Sequence, residues 1–528
     1  MADLALKTVT FADNNSDTVR SLKRSNNSDK SIKTKTQRLN GYDSKVQSET
    51  SEQQTRVLTQ FSSEAGEPAG PPIELPLNLP KQKLQLILNS LLKQTDDVPY
   101  SFFVEEKEIT SNLKSVLPEN YSEEKILNIV YQAQAVFKVQ SVTRCTSSLP
   151  GHAEAVLCAS FSPDGRFLAS GSGDTTVRFW DVNTETPHFT ARGHSHWVLV
   201  TAWSPDGTRL ASGCKKGNII IWDPKTGKQV GKTFTLHTKW ITVLCWEPLH
   251  LTDDGRCTKL ASASKDGSIR IWNIASATCH KSLSGHLQSV TALRWSGEGL
   301  IYSGSQDRTI KVWRPSDGAL CRTLQGHGHW VNSLALNTDY AIRTGASDPK
   351  KLMQTVPEHI NNELERKAAA MERYTAAKEQ AGGVERMVSG SDDFTLFLWT
   401  PESNKKPVCR MTGHQQLVND VKFSPDTRTI ASASFDKSIK LWNGINGKIF
   451  ATLRGHVSGV YQIAWSADSR LLVSGSKDST LKVWSVADRG LLIDLPGHAD
   501  EVYTVDWSPD GHRVVSGGKD KVLKVWRK

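Results

Sequence analysis

Histidine and aspartate, two residue types able to cooperate in catalysis, recur together with tryptophan along this chain. Gly-His stands at His152, His194, His286, His327, His414, His456 and His498, with Leu236-His237 as a degenerate copy. A tryptophan follows each: Trp180, Trp222, Trp272, Trp313, Trp399, Trp442, Trp484 and Trp526. Five His-to-Trp spacings are 28 residues, and the others are 35, 27 and 72. Six residues before the tryptophan stands an aspartate in seven copies: Asp174, Asp266, Asp307, Asp393, Asp436, Asp478 and Asp520. The second copy has Lys216 there. Histidine, hydroxyl and carboxylate are the parts of a nucleophilic triad. Repeated copies of one constellation argue against a unique active site, and no GxSxG elbow, GxxxxGKS/T phosphate loop or HExxH helix occurs. The expectation is a structural relay of the His, a strand Ser or Thr, the Asp and the Trp, because a buried Trp N–H and a buried carboxylate both need partners. Its clearest members are His152, Asp174, Trp180; His414, Asp436, Trp442; His456, Asp478, Trp484; and His498, Asp520, Trp526. No catalysis is expected, nor any intrinsic metal or cofactor.

The elements that would position these residues are strands. Val-Arg-Phe-Trp (177–180) and Ile-Lys-Leu-Trp (439–442) alternate as strands do, and Ser-Pro-Asp-Gly (162–165, 204–207, 508–511) reads as a turn. A period of about 40–45 residues with Gly-His and Trp signatures resembles the WD-repeat β-propeller. Eight copies over 145–528 imply eight blades. Leu249–Gly255 reads as a short surface loop in blade three. Residues 348–386 interrupt blade five, with a helix expected over Glu358–Gln380 and a narrow apolar face of Ile360, Leu364, Ala368 and Met371. Such a helix either lies on the propeller or waits for a partner. The last blade ends two residues after Trp526, so strand-like residues Phe137–Arg144 are expected to close the ring and remove its open edge.

Residues 55–140 read as a second, α+β domain. Strands are expected at Val57–Phe61, Ile73–Leu77, Tyr100–Val104, Ile126–Tyr131 and Ala135–Val139, with a helix at Lys81–Lys93. The order ββαββ is that of a ubiquitin-like grasp. Residues 1–54 are rich in Ser, Asn, Thr and Lys and are expected to be disordered. Their basic cluster (Lys23, Arg24, Lys30, Lys33, Lys35, Arg38) fits a nuclear address or a solvated tail. The whole is thus mainly β: a tail (1–54), a ubiquitin-like domain (55–140) and an eight-bladed propeller (141–528).

Charge is uneven. The net +10 divides into +2 for residues 1–54 (9 basic, 7 acidic), −3 for 55–140 (8, 11) and +11 for 141–528 (48, 37). A basic body beside an acidic segment suggests a polyanionic partner and a cationic or metal-bearing one. No apolar run reaches the ~18 residues of a membrane helix, so a soluble chain without membrane contact is expected. Eight scattered cysteines without CxxC pairs fit a reducing compartment. Trp203, Trp246, Trp295, Trp465 and Trp507 precede the turns, where blade packing explains them. Trp197, Trp240 and Trp330 instead stand three residues after the blade histidine, near one rim of the channel. They read either as anchors for a protein or RNA partner or as inter-blade packing. Lys215-Lys216 and Lys405-Lys406 are candidate phosphate contacts or simply surface charge.

The architecture and several runs resemble one family closely. These are residues 135–144 (AVFKVQSVTR), 240–250 (WITVLCWEPLH), 411–414 (MTGH) and 495–507 (LPGHADEVYTVDW). From about residue 56 to the end the chain resembles the Notchless family, whose small domain is called NLE. The resemblance implies a nuclear and nucleolar assembly factor of the large (60S) ribosomal subunit, monomeric outside the particle. The propeller would sit on the precursor particle against rRNA and other assembly factors. The small domain would offer one carboxylate to the Mg²⁺ in the adhesion site of midasin, an AAA ATPase. In the family that acid falls seven residues ahead of the strand tyrosine. Counting back from Tyr131 gives Glu124, with adjacent Glu123 as the alternative. A WD-repeat adaptor acting on the Notch pathway is the rival function.

Overall fold

The computed structural model describes residues 56–63, 66–92, 99–105, 107–109, 112–117, 126–134, 137–352 and 362–528; the expected disordered tail lies outside them. The small domain is a five-stranded sheet of β1 (Arg56–Ser62), β2 (Ile73–Pro76), β3 (Tyr100–Val104), β4 (Lys107–Glu108) and β5 (Leu127–Ala133). Its order is β2-β1-β5-β3-β4, with β1 and β5 parallel at the centre. Helix α1 (Lys81–Leu91) buries Leu84 and Leu88 in a cluster with Val57, Phe61, Phe102 and Ile129. That is the ubiquitin-like grasp, with one correction. No strand forms over the described part of Ala135–Val139; the partner of β3 at the edge is β4, only two residues long.

Eight sheets follow, with innermost strands Val156–Phe161, Val198–Trp203, Ile241–Trp246, Val290–Trp295, Val331–Leu336, Val418–Phe423, Val460–Trp465 and Val502–Trp507. Seven have four antiparallel strands. Blade two has three, its outer edge covered by isolated bridges from Gln229 and Phe234. Blade eight borrows its outermost strand, Arg144–Leu149, from the beginning of the propeller. The closing strand therefore lies later than Phe137–Arg144. Val139 and Val142 pack with Leu471 and Trp507, and the Val139 N–H donates to the Asp468 carboxylate at 2.7 Å. These residues alternate like a strand because they are tied down as a tether. The ring closes where Phe161 N–H donates to Asp506 at 2.9 Å, joining blade one to blade eight.

The interruption of blade five begins directly after Leu336 and contributes α2 (Asp339–Thr344), α3 (Pro349–Leu352) and α4 (Glu363–Gln380). Asn362 caps α4 by accepting from Leu364 N–H at 3.1 Å, and Gly382 and Gly383 end it with φ of +79° and +74°. The face expected to be apolar is not the one that docks. Leu364 and Met371 are exposed, as is Ala368, while Ala370, Tyr374 and Ala377 are buried; Ile360 lies outside the described residues. Tyr374 lies over Gly297, where an added Cβ would come within 2.0 Å of the ring, and it stacks on His250 at 4.5 Å. Leu249–Gly255 is thus no free surface loop. Its Leu249, His250 and Thr252 are buried, and it forms the landing site of α4.

Helix α2 spans one end of the channel. Asp339 pairs with Arg294 of blade four at 3.1 Å, and Arg343 makes a bidentate pair with Asp506 of blade eight. Gly345 has φ +51°, and a Cβ there would lie 2.4 Å from the Pro205 carbonyl of blade two, so the crossing requires glycine. No helix among the described residues is long and apolar enough to cross a membrane.

Candidate functional site

The repeated constellation assembles into the same chain of hydrogen bonds in seven blades. In blade one Trp180 Nε1–H donates to Ser170 Oγ at 2.9 Å, Ser170 meets His152 Nε2 at 2.8 Å, and His152 Nδ1 meets Asp174 Oδ2 at 2.8 Å. An aspartate only accepts, so Nδ1 carries the proton and, in the neutral ring, Nε2 accepts from the serine. His414, Ser432, Asp436, Trp442 repeat it, as do His456, Ser474, Asp478, Trp484 and His498, Ser516, Asp520, Trp526. The serine is the strand hydroxyl of the expected relay. It lies ten residues before the tryptophan each time. The eight relay tryptophans are buried, and so are the serines they meet, which are taken up in these bonds.

Blade two is the exception. His194 Nε2 meets Ser212 at 2.6 Å and Trp222 donates to that serine at 2.7 Å, yet His194 Nδ1 has no partner. Burial lowers the His194 pKa from 6.5 to about 4. The unfolded chain therefore takes up this proton first as pH falls. The contribution is whole above pH 6.5 and is lost as pH drops toward 4, a change of roughly 3 kcal/mol. Histidine NMR is expected to show His194 titrating near 4 in the folded protein, with blade two loosening over that interval.

Alternating strand direction gives the propeller two different ends. One end carries the turns between first and second strands, the α2 crossing and the tether to the small domain, where Arg428 donates to the Ala133 carbonyl at 2.8 Å. The opposite end carries the relay histidines and aspartates, and there Trp197, Trp240 and Trp330 are exposed. Inter-blade packing does not consume them. Lys215 and Lys216 share this end, whereas exposed Lys405 and Lys406 lie in a third-to-fourth strand turn at the other. The inner-strand tryptophans are packed as expected: Trp203 and Trp246 donate to carbonyls of the preceding blade, Ser160 and Ala202, at 3.0 and 2.9 Å. Glu123 and Glu124 lie outside the described residues. Among the described residues no group of His, Cys, Asp and Glu is arranged to hold a metal ion.

The comparisons with known proteins agree with this architecture. Residues 57–117 match the NLE (NUC135) domain, and seven ranges between 143 and 527 match the WD domain, G-beta repeat. The blade interrupted by α2–α4 falls between the fourth and fifth of these ranges, 277–314 and 405–443. The chain is 56% identical to Protein Notchless of Drosophila melanogaster, covering 71% of this chain and 75% of that one. It is 54% identical to the Notchless protein homolog of Arabidopsis thaliana (71% and 77% covered) and 48% identical to Ribosome assembly protein 4 of Saccharomyces cerevisiae (71% and 75%). Among solved structures, the computationally designed Ika8 protein is similar with a TM-score of 0.56 and 25% identity, over 73% of this chain and all of that one. Fold and site thus define a WD-repeat propeller protein with an N-terminal NLE domain. The chain belongs to the Notchless family.

Proposed function

We propose that this protein is a non-catalytic assembly factor of the large ribosomal subunit, acting in the nucleus and nucleolus. The observation that carries this is close similarity along most of the chain to proteins named for ribosome assembly in Saccharomyces cerevisiae and Chaetomium thermophilum. The relay supports a non-enzymatic scaffold, because its histidines, serines and aspartates are consumed in holding blades together. The propeller docks on the precursor particle. The NLE domain serves as a handle: Glu124, or adjacent Glu123, gives one carboxylate oxygen to a Mg²⁺ held by midasin, so that ATP-driven force remodels the particle and releases the factor. A hard cation with an open position favours such an oxygen ligand, and the acidic balance of residues 55–140 suits an approach to a metal-bearing partner.

The test is binding of the full chain to a midasin adhesion domain with Mg²⁺ and with EDTA. Glu124→Ala is expected to abolish Mg²⁺-dependent binding while melting and sedimentation stay those of wild type. Undiminished binding by both Glu124→Ala and Glu123→Ala would sink the handle. Co-sedimentation with large-subunit precursors from nuclear extract separates particle docking from a Notch-pathway adaptor, which would sediment apart.

A further inference from the structure

Blades two and three carry a feature at their open rim that the relay does not use. Trp197 and Trp240 occupy equivalent places in successive blades, exposed 46% and 40%. Lys215 N–H donates to the Trp197 carbonyl and Lys265 N–H to the Trp240 carbonyl, each at 2.9 Å, so each lysine is fixed beside its own tryptophan. Lys215 Nζ lies 4.2 Å from the Trp197 ring centre and 4.9 Å from that of Trp240; Lys265 Nζ lies 4.2 Å from Trp240. The rim therefore reads Trp, Lys, Trp, Lys. Gly217 makes the two blades one surface, since its φ is +92° and a Cβ would come within 2.6 Å of the His237 carbonyl and 2.7 Å of that of Lys239.

Charge on this sector has one sign. Lys216, Lys239 and Lys265 are exposed, and the carboxylate of these loops, Asp266, is engaged by His237 and Ser268. On the blade-one side Glu154 pairs with Lys521 at 3.7 Å. Trp330 differs: the residue donating to its carbonyl is Asp392, which pairs with His329 at 3.4 Å. Blade two also breaks the relay here, placing Lys216 where seven blades have aspartate and leaving His194 Nδ1 buried without a partner. A local rule broken without a stabilising return points to function.

We propose that this sector binds a single-stranded RNA segment, with bases stacking on Trp197 and Trp240 and phosphates meeting Lys215, Lys216, Lys239 and Lys265, and that Lys216 replaces the relay aspartate to clear a negative charge from that path. The inference rests on the particle-docking reading and names the ligand chemistry of one part of it. Every unpaired base has a face for an aromatic ring, whereas bases stacked in a duplex cannot reach one. An acidic peptide would meet the lysines but has no use for two ring faces. Bound phosphate would draw Lys215 out from between the rings, exchanging its cation–π contacts for an ion pair and opening the stacking surface.

The experiment is fluorescence anisotropy of a labelled, unstructured 12-nucleotide RNA with the full-length protein, over a range of salt. Trp197→Ala and Trp240→Ala are each expected to weaken binding about 5-fold or more, with melting unchanged. Lys216→Asp is expected to weaken binding and shallow its salt dependence while raising the melting temperature, because His194 regains its acceptor. Trp330→Ala should bind as wild type. No RNA binding, binding indifferent to both tryptophans, equal affinity for duplex RNA, or equal competition by polyglutamate overturns the proposal. If RNA binding fails while the wild-type protein still co-sediments with precursor particles, this sector assignment falls and particle docking stands. If the protein does not co-sediment, docking itself falls.

Discussion

Asp436→Ala is expected to destabilise blade six by about 3–5 kcal/mol, the range for stranding buried, charge-assisted partners. Its carboxylate accepts four hydrogen bonds: His414 Nδ1 at 2.7 Å, Gln415 N at 3.0 Å, and Ser438 N and Oγ at 3.0 and 2.6 Å. Truncation takes the acceptor from all four donors, of which His414 Nδ1 is the one in the buried interior, and the Trp442–Ser432–His414 chain loses its terminus. Burial by itself would raise the Asp436 pKa, but bonds from His414 and Ser438 outweigh it and hold the group far below the usual carboxylate range. A depressed carboxylate stabilises the fold above its ordinary value of 3.8, and that contribution drains away as pH falls below it. The gap between wild type and variant should therefore be full at neutral pH and shrink in strong acid. Hydrogen exchange over Ser438–Asn443 and thermal melting measure it. Unchanged protection there would mean that the relay does not hold the blade. Asp436→Asn, which keeps the shape and some acceptor capacity, should lose less.

The repeat was legible because each blade restates it: His, Asp and Trp at nearly fixed spacing can satisfy one another only if three strands and a loop bring them together. What the sequence obscured was dictated by contacts between distant segments. Val139 and Val142 alternate as a strand would, but their partners are Leu471 and Trp507 more than 300 positions away, so the closing strand forms later, at Arg144–Leu149. The apolar face expected for α4 counts its large aliphatics as core, and the molecule buries the opposite choice. The surface beneath the helix is a glycine-floored hollow that takes a flat ring, so Tyr374 docks while Leu364 and Met371 face water. Helix α2 leaves no pattern in the sequence, since its six residues have little periodicity and are held by Arg294 and Asp506, each from another blade. The three rim tryptophans share one spacing, and what separates them is the residue hydrogen-bonded to each, Lys215, Lys265 or Asp392, which only strand register discloses.

Tyr374→Ala should release α4 from the propeller while leaving the ring folded. Removing a buried aromatic ring costs about 3–5 kcal/mol where the site cannot collapse, and the rigid turn at Gly297 is poorly able to collapse. The variant also loses the bond from Tyr374 Oη to Glu298 at 2.8 Å and the stack on His250. What remains buried on the helix is Ala370 and Ala377, and in a folded protein it is chiefly such tertiary packing that stabilises a helix. Lys378–Glu298 at 2.5 Å is partly exposed and adds little. Limited proteolysis within 363–380 should accelerate, with the main melting transition nearly unmoved because α2 keeps Arg343–Asp506 and Arg294–Asp339. Gly297→Val fills the same hollow from the other side and should release the helix too, without touching its sequence. If Tyr374→Ala stays resistant to protease, α4 is held chiefly by Arg373, which donates to the Gly345 carbonyl at 2.6 Å and to Thr344 at 2.8 Å, and Arg373→Ala becomes the releasing change. Either release occurs at the end of the channel opposite Trp197 and Trp240, so affinity for single-stranded RNA at that rim should be unchanged. A loss of RNA binding on releasing α4 would instead couple the two ends through the ring.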